Sequence, residues 1–443
     1  MKTKKLRLAL LSALIALTFP SCGGRAIPET DIEPPALTSA AEVTSPAEAE
    51  ISPAETSESK PEAEAVSAAE ESSSTAEEAA SSTAEPEPKT GSKAEAVFEK
   101  LSLREKVGQL FIFRFDGMLY NDSFEHWVRY LDDDFKSRVE KYPIGGFLTM
   151  GANISSPEQL KEMNRAVTEM YPTVKPFICT DEEGGDVARL ANSGVLGISS
   201  FPNMGYIGAG GDPEKAFEAY STIGGYLKEY GFNLDLAPVA DVNTNPNNIV
   251  IGQRAFGSDP ETASHFVSRA VDGLHEGGVM SCLKHFPGHG DTAADSHYGA
   301  VTVDKTWEEM LQCELIPFIG SMDKTDMIMT AHIAVPKVTG DDTPASLSYT
   351  LLTEKLRNEL GYEGVIITDS LGMGAVSKYY SSEECCIAAI NAGVDLLLKP
   401  VHSYESFEAV LKAAEEGEIS EERINESVMR ILRLKEKYGM LNI

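Results

Sequence analysis

The chain has 443 residues, with 69 acidic against 38 basic side chains and a net charge of −31. So acidic a surface argues against a nucleic-acid partner, because that binding rests on neutralising phosphates with Lys and Arg. At 42% hydrophobic residues the chain has ample material for one large core, but that material is unevenly distributed.

The first 22 residues combine Lys2, Lys4, Lys5 and Arg7 with an apolar run from Leu8 to Phe19, followed by Ser21-Cys22-Gly23-Gly24. A basic start, a short apolar stretch and a small residue before cysteine read as an export signal. The run is short for a bilayer span, which takes about 20 apolar residues. Cysteine followed by two glycines resembles the bacterial lipoprotein signal. That resemblance implies that Cys22 is the lipidated N-terminus, that membrane contact is through this anchor alone, and that the protein faces outward from the cell membrane. Ordinary cleavage and secretion is the alternative.

From residue 23 to residue 94 the composition is Ala, Glu, Ser, Pro and Thr, with sixteen acidic against four basic side chains, net −12. Such a stretch cannot bury enough apolar surface to offset its ordering entropy, and a disordered acidic linker is expected. With the leader's +4 also set aside, residues 95–443 keep −23 of the whole-chain charge. These residues are expected to form one folded domain.

Within that domain, apolar runs that end in polar or Gly-rich loops recur at Val107–Phe113, Ile144–Met150, Phe177–Thr180, Phe232–Val239, Val279–His285, Met327–His332, Val365–Thr368 and Asp395–Leu398. Helix-period segments lie between them: Pro157–Tyr171, Pro213–Tyr230, Pro260–Glu276, Trp307–Met322, Leu351–Leu360 and Glu383–Ala392. Ser156-Pro157, Asp212-Pro213 and Asp259-Pro260 are helix-start signals. Eight strands alternating with helices fit an α/β fold of the (β/α)8 TIM-barrel type better than an open doubly wound sheet. No Gly-rich dinucleotide or phosphate-loop motif opens a helix, so no cofactor is expected. Glu421–Tyr438 is the last amphipathic helix, and no second domain is expected after it. Cys179, Cys282, Cys313, Cys385 and Cys386 lack metal-ligand spacing and read as small hydrophobes.

The densest chemistry lies at 284–297, Lys-His-Phe-Pro-Gly-His-Gly-Asp-Thr-Ala-Ala-Asp-Ser-His. Placing a lysine and a histidine at the end of a buried strand is costly unless they are paired. A barrel keeps its chemistry at the C-terminal strand ends. There the chain presents Asp181-Glu182-Glu183-Gly184-Gly185, Lys284-His285, His332, Asp369-Ser370 and Lys399, which are expected to ring one pocket.

Asp369 follows Val-Ile-Ile-Thr, which makes it either a rigidly presented carboxylate or a helix N-cap. His297 stands two residues after Asp295, and a carboxylate beside an imidazole makes an acid/base group usable near neutrality. Taken alone, His297 also reads as a surface loop histidine. Arg189 and Arg254 sit in loops after strands and are able to fork onto ligand oxygens; a solvated arginine is the plainer reading of each.

The stretch Lys284-His285-Phe286-Pro287-Gly288-His289-Gly290, with Asp295-Ser296-His297, resembles the β-N-acetylhexosaminidases of glycoside hydrolase family 3. Asp181-x-Glu183-Gly184-Gly185-x-Val187-x-Arg189, Ile251-Gly252-x-Arg254-x-Phe256 and Ile367-Thr368-Asp369-Ser370-Leu371-x-Met373 match further family blocks in order. The resemblance implies a retaining exo-acting enzyme that removes terminal β-linked N-acetylglucosamine from oligosaccharides, and it implies no metal. It makes Asp369 the nucleophile and His297 the general acid/base, oriented by Asp295. Asp181, Arg189, Arg254, Lys284 and His285 would hold the sugar. Retaining enzymes generally use two carboxyl groups, and the histidine is a departure that this subfamily shares.

Export suggests peptidoglycan fragments as substrate, and a monomer is expected. Three alternatives stay open: a phosphorylase, a family 3 β-glucosidase, and an inactive tethered muropeptide-binding protein. A metal-dependent barrel hydrolase would place His-x-His at the end of the first strand, where this chain has Phe113-Arg114-Phe115-Asp116.

Overall fold

The computed structural model of the protein describes residues 91–121, 126–292, 296 and 299–443. The expected leader with Cys22, and all but the last four residues of the expected linker, lie outside them. The first described helix, Lys93–Phe98, takes in the last two residues read as linker. Ser92 accepts the N–H of Glu95, and the Glu95 carboxylate accepts the N–H of Ser92. That reciprocal cap fixes the start of the helix.

Eight short strands follow in the expected order: β1 (Phe111–Arg114), β2 (Gly146–Leu148), β3 (Phe177–Thr180), β4 (Leu234–Asp235), β5 (Cys282–Phe286), β6 (Met327–Thr330), β7 (Val365–Thr368) and β8 (Leu397–Leu398). Their pairings are all parallel, in the orders β8-β1-β2-β3-β4 and β7-β6-β5. The continuous barrel expected from the sequence is therefore only partly realised, as a curled parallel sheet in two arcs. Isolated parallel bridges join them: Leu234 with Met280 and Val239 with Lys284 at one seam, and Ile367 with Leu396 at the other. At the first seam the two-residue β4 is followed by Pro238, which has no N–H for a ladder.

Two expected elements differ. Val107–Gln109 belongs to a helix, Leu103–Gln109, rather than to β1, because Ser102 and Glu105 form another reciprocal cap just upstream. The single helix expected over Trp307–Met322 is two, Trp307–Leu311 and Ile316–Ile319. Pro317 lies in the first turn of the second, where its ring and missing N–H would break a continuing helix. Leu351–Leu360 appears as a π-helical segment, Thr350–Glu359. Pro157–Glu169, Glu214–Glu229, Pro260–Gly277, Ser382–Ala392 and Glu421–Lys437 lie within two residues of expectation at each end.

The core is rich in phenylalanine. Phe115 stacks on Phe147 at 5.0 Å and on Phe135 at 6.0 Å, which ties β1 and β2 to the helix Asp133–Lys141. The helices Glu214–Glu229 and Pro260–Gly277 meet at glycines: a Cβ on Gly277 would stand 2.5 Å from the Gly224 Cα. Cys179, Cys282, Cys385 and Cys386 are buried, Cys313 is half-buried, and none of the five is bridged. Among the described residues no helix is long and apolar enough to cross a membrane.

Candidate active site

A cavity of about 330 Å³ opens at the C-terminal ends of the strands, and Asp181, Arg189, Arg254, Lys284, His285 and Asp369 all line it. These six residues, from β5, the ends of β3 and β7 and the loops after β3 and β4, meet in one pocket, whereas Glu182 and His332, also expected to ring it, do not line it. Lys399, at the end of β8, also lines the cavity.

Lys284 is the buried centre of an ion lattice. Its Nζ donates to Asp181 Oδ1 at 2.9 Å and lies 2.6 Å from Glu183 Oε1. Arg254 forks onto the same glutamate, Nε to Oε2 at 2.8 Å and Nη2 to Oε1 at 2.7 Å. Arg189 lies 3.6 Å from Asp181. Burial disfavours the charged form of each group, and the lattice outweighs that cost. Against burial, the Lys284 ammonium and the Arg189 guanidinium hold the Asp181 carboxyl below its usual range. Likewise Arg254 and Lys284 hold Glu183 far below it, and both carboxylates keep Lys284 charged beyond an ordinary lysine. The lattice presents ionised donors and acceptors at fixed positions, which suits a ligand dense in hydroxyl groups.

Asp369 stands directly after β7. Its N–H donates to Thr330 O of β6 at 2.9 Å, and the Ser370 N–H donates to its Oδ1 at 2.6 Å. The next helix, Gly374–Ser377, is capped by Met373, four residues after Asp369, so the helix-cap reading of Asp369 does not hold. Oδ2 has no hydrogen bond among the described residues. Burial opposes its ionisation, but the imidazoles of His285 and His332, the Ser370 N–H and the Lys284 ammonium outweigh burial and hold the carboxyl low. His332 Nε2 donates to Ser370 O at 2.9 Å, with Ser346 Oγ against its Nδ1 at 2.7 Å. It thereby braces the strand end that carries Asp369.

Asp295 and His297, expected as the proton-transfer pair, lie outside the described residues. Ser296 between them is described and buried. Its Oγ is 2.9 Å from His289 Nε2, and its carbonyl accepts the Ala375 N–H at 2.9 Å.

The sequence placed Glu183 among the strand-end residues without giving it a role of its own, and it did not single out Asp241. Glu183 is the glutamate of the ion lattice. Asp241 is fully buried, with Oδ2 2.7 Å from His285 Nδ1 and Oδ1 accepting the His289 N–H at 2.6 Å. It follows Pro238-Val239-Ala240 at the end of the fourth apolar run. The strand-end rule applied there would have found it. No group of three or more His, Cys, Asp or Glu side chains among the described residues is placed to hold a metal ion.

Residues 102–434 match the glycosyl hydrolase family 3 N terminal domain. The chain is 34% identical over 339 residues to beta-hexosaminidase A of Pseudoalteromonas piscicida, covering 69% of this chain and 56% of that protein. Beta-hexosaminidase LpqI of Mycobacterium tuberculosis is 29% identical over 365 residues, 79% of this chain and 87% of that one. Among solved structures, a glycoside hydrolase family 3 beta-N-acetylglucosaminidase from Paenibacillus sp. str. FPU-7 superimposes with a TM-score of 0.71 at 37% identity, over 77% of this chain and 63% of that chain. The chain thus spans less than two thirds of the Pseudoalteromonas and Paenibacillus proteins, while covering most of the mycobacterial one. With its four motif blocks gathered around one strand-end cavity, the chain belongs to glycosyl hydrolase family 3.

Proposed function

We propose that this protein is a retaining exo-β-N-acetylglucosaminidase. The observation that carries the reading is Asp369: a carboxylate at a strand end, kept ionised, with one oxygen bound to the Ser370 N–H and the other without a hydrogen bond among the described residues, inside a cavity ringed by Asp181, Arg189, Arg254, Lys284 and His285. In this reading Asp369 attacks the anomeric carbon and forms a glycosyl-enzyme intermediate. The five ring residues hold the hydroxyl and acetamido groups of one terminal sugar. A cavity of about 330 Å³ suits one pyranose unit better than a chain threaded through.

His297 protonates the departing oxygen and then activates water, with Asp295 orienting it. Motif order supports these two assignments: Ser296, between the two residues, is fixed against His289 and Ala375 at the cavity wall. We further propose export and lipid attachment at Cys22 from the pattern of residues 1–24, and peptidoglycan fragments as substrate from the exported location.

Incubation with GlcNAc-terminated chitooligosaccharides and with defined muropeptides, followed by mass spectrometry and proton NMR, tests the reading. It expects free N-acetylglucosamine released first as the β-anomer. An α-anomer would overturn the retaining route. Glucose released in preference from glucosides would overturn the sugar assignment. A sugar 1-phosphate formed only with added phosphate would replace water as acceptor.

A further inference from the structure

The loop that follows β5 turns back on a single carboxylate. Asp241 is fully buried, and its two oxygens are used differently. Oδ1 faces two backbone N–H groups, His289 at 2.6 Å and His285 at 3.3 Å. These bonds hold the turn that closes where the Gly288 N–H meets the His285 carbonyl at 2.8 Å. Oδ2 faces one side-chain atom, His285 Nδ1, at 2.7 Å. A carboxylate has no hydrogen to give, so the proton in that contact belongs to Nδ1. The His285 ring lines the cavity with Asp369. Among the described residues its Nε2 has no hydrogen-bond partner, so it is the only polar ring atom left for a ligand.

We propose that Asp241 is a positioning residue that fixes the tautomer of His285, keeping a proton on Nδ1 so that Nε2 meets a hydroxyl group of the bound sugar as an acceptor. The proposal rests on the reading of the cavity as a sugar site. It adds a requirement that the ring residues alone do not contain, because His285 unaided populates both tautomers.

The split use of the two oxygens makes the proposal testable by one isosteric change. In Asp241→Asn the amide oxygen replaces Oδ1 and still accepts both backbone N–H groups, so the turn keeps its support. The amide NH2 replaces Oδ2 and presents hydrogens to Nδ1. Nδ1 must then accept, the ring proton moves to Nε2, and the cavity meets a donor where it had an acceptor. The His285 N–H is the one bond remade, its proton passing from Nδ1 to Nε2.

The experiment has two arms. In the first, 15N-histidine NMR of the wild-type protein and of Asp241→Asn, with the His285 signals assigned through His285→Gln, reads the tautomer directly. Nδ1–H with a bare Nε2 in the wild type, and the reverse in the variant, are expected; an unprotonated Nδ1 or a protonated Nε2 in the wild type overturns the proposal even if the variant fails to fold. In the second arm, kcat/KM on 4-nitrophenyl N-acetyl-β-glucosaminide should fall about tenfold or more in Asp241→Asn, the scale of one misdirected hydrogen bond. Its melting temperature should stay close to wild type. A folded variant with wild-type kcat/KM overturns the proposal. Absence of turnover in the wild-type protein would instead count against the proposed function, and the tautomer arm would still decide the role of Asp241.

Discussion

Glu183 grips Arg254 with both of its oxygens, at 2.7 and 2.8 Å, and shares one of them with Lys284 at 2.6 Å. Glu183 and Lys284 are buried, and Arg254 is nearly so. The arrangement therefore sets the charge state of this part of the cavity wall.

Glu183→Gln keeps the shape and removes the charge. Breaking a buried ion pair from one side costs about 3–5 kcal/mol, and a loss of that order at pH 7 is expected in urea titrations. The sign of the pH dependence follows from the lowered carboxyl. Its stabilisation is fully present above the unfolded value of about 4.3 and is lost as pH falls toward the lower folded value. The wild-type protein should therefore lose stability below about pH 4 more steeply than the variant. Equal acid slopes in the two proteins would contradict this account.

Asp369→Ala should reduce turnover of 4-nitrophenyl N-acetyl-β-glucosaminide by about a thousandfold or more, as for an essential group acting within a catalytic unit. Added azide should restore part of the rate by entering the space of the lost carboxylate, and the glycosyl azide formed should be the α-anomer. NMR of the product distinguishes it from the β-anomer, which would place the nucleophile elsewhere.

His297→Ala should cost little on the 4-nitrophenyl substrate, whose leaving group departs without protonation. On N,N′-diacetylchitobiose the loss should reach about a hundredfold, the lower range for a general acid. Comparing kcat/KM for the two substrates is the measurement. Equal losses on both would remove the acid role.

Lys435 lies buried in the helix Glu421–Lys437. Its Nζ donates to Gln109 Oε1 at 2.8 Å and to Gly145 O at 3.0 Å, and lies 4.5 Å from the centre of the Phe177 ring. Burial pushes its ammonium down to about 7, against about 10.4 for an unfolded lysine. Between those values the unfolded chain binds the extra proton, so this group makes stability rise with pH from about 7 to about 10.4. Lys435→Met should flatten that rise in melts recorded from pH 6.5 to 9.5. A rise of the same size in the variant would assign it to other groups.

Much of the site was legible because its signals are local. Asp369 was readable from the strand-like Val-Ile-Ile-Thr before it, and Lys284-His285 from the cost of ending a buried run with ionisable groups. Other features failed for an equally physical reason. Val107 looked like the start of a strand because apolar periodicity over three residues does not separate a strand from the inner face of a helix, and only the Ser102–Glu105 cap decides between them. Arg254, by residue type and loop position alone, read more plainly as solvated, and only the family resemblance placed it in the site; its glutamate partner appears only in the fold.

The sequence by itself determined the alternation of strands and helices, the residues that end the strands, and the family. Each of these follows from side-chain chemistry repeated over a few neighbouring positions. Tertiary structure alone decided how the strand ladder divides into two arcs, which glutamate neutralises Arg254, and which oxygen of Asp241 faces which nitrogen. Glu183 and Arg254 are 71 residues apart, and Asp241 and His285 are 44 apart. Electrostatic pairing acts through space, so its partners are fixed only when the sheet curls and brings their strand ends together.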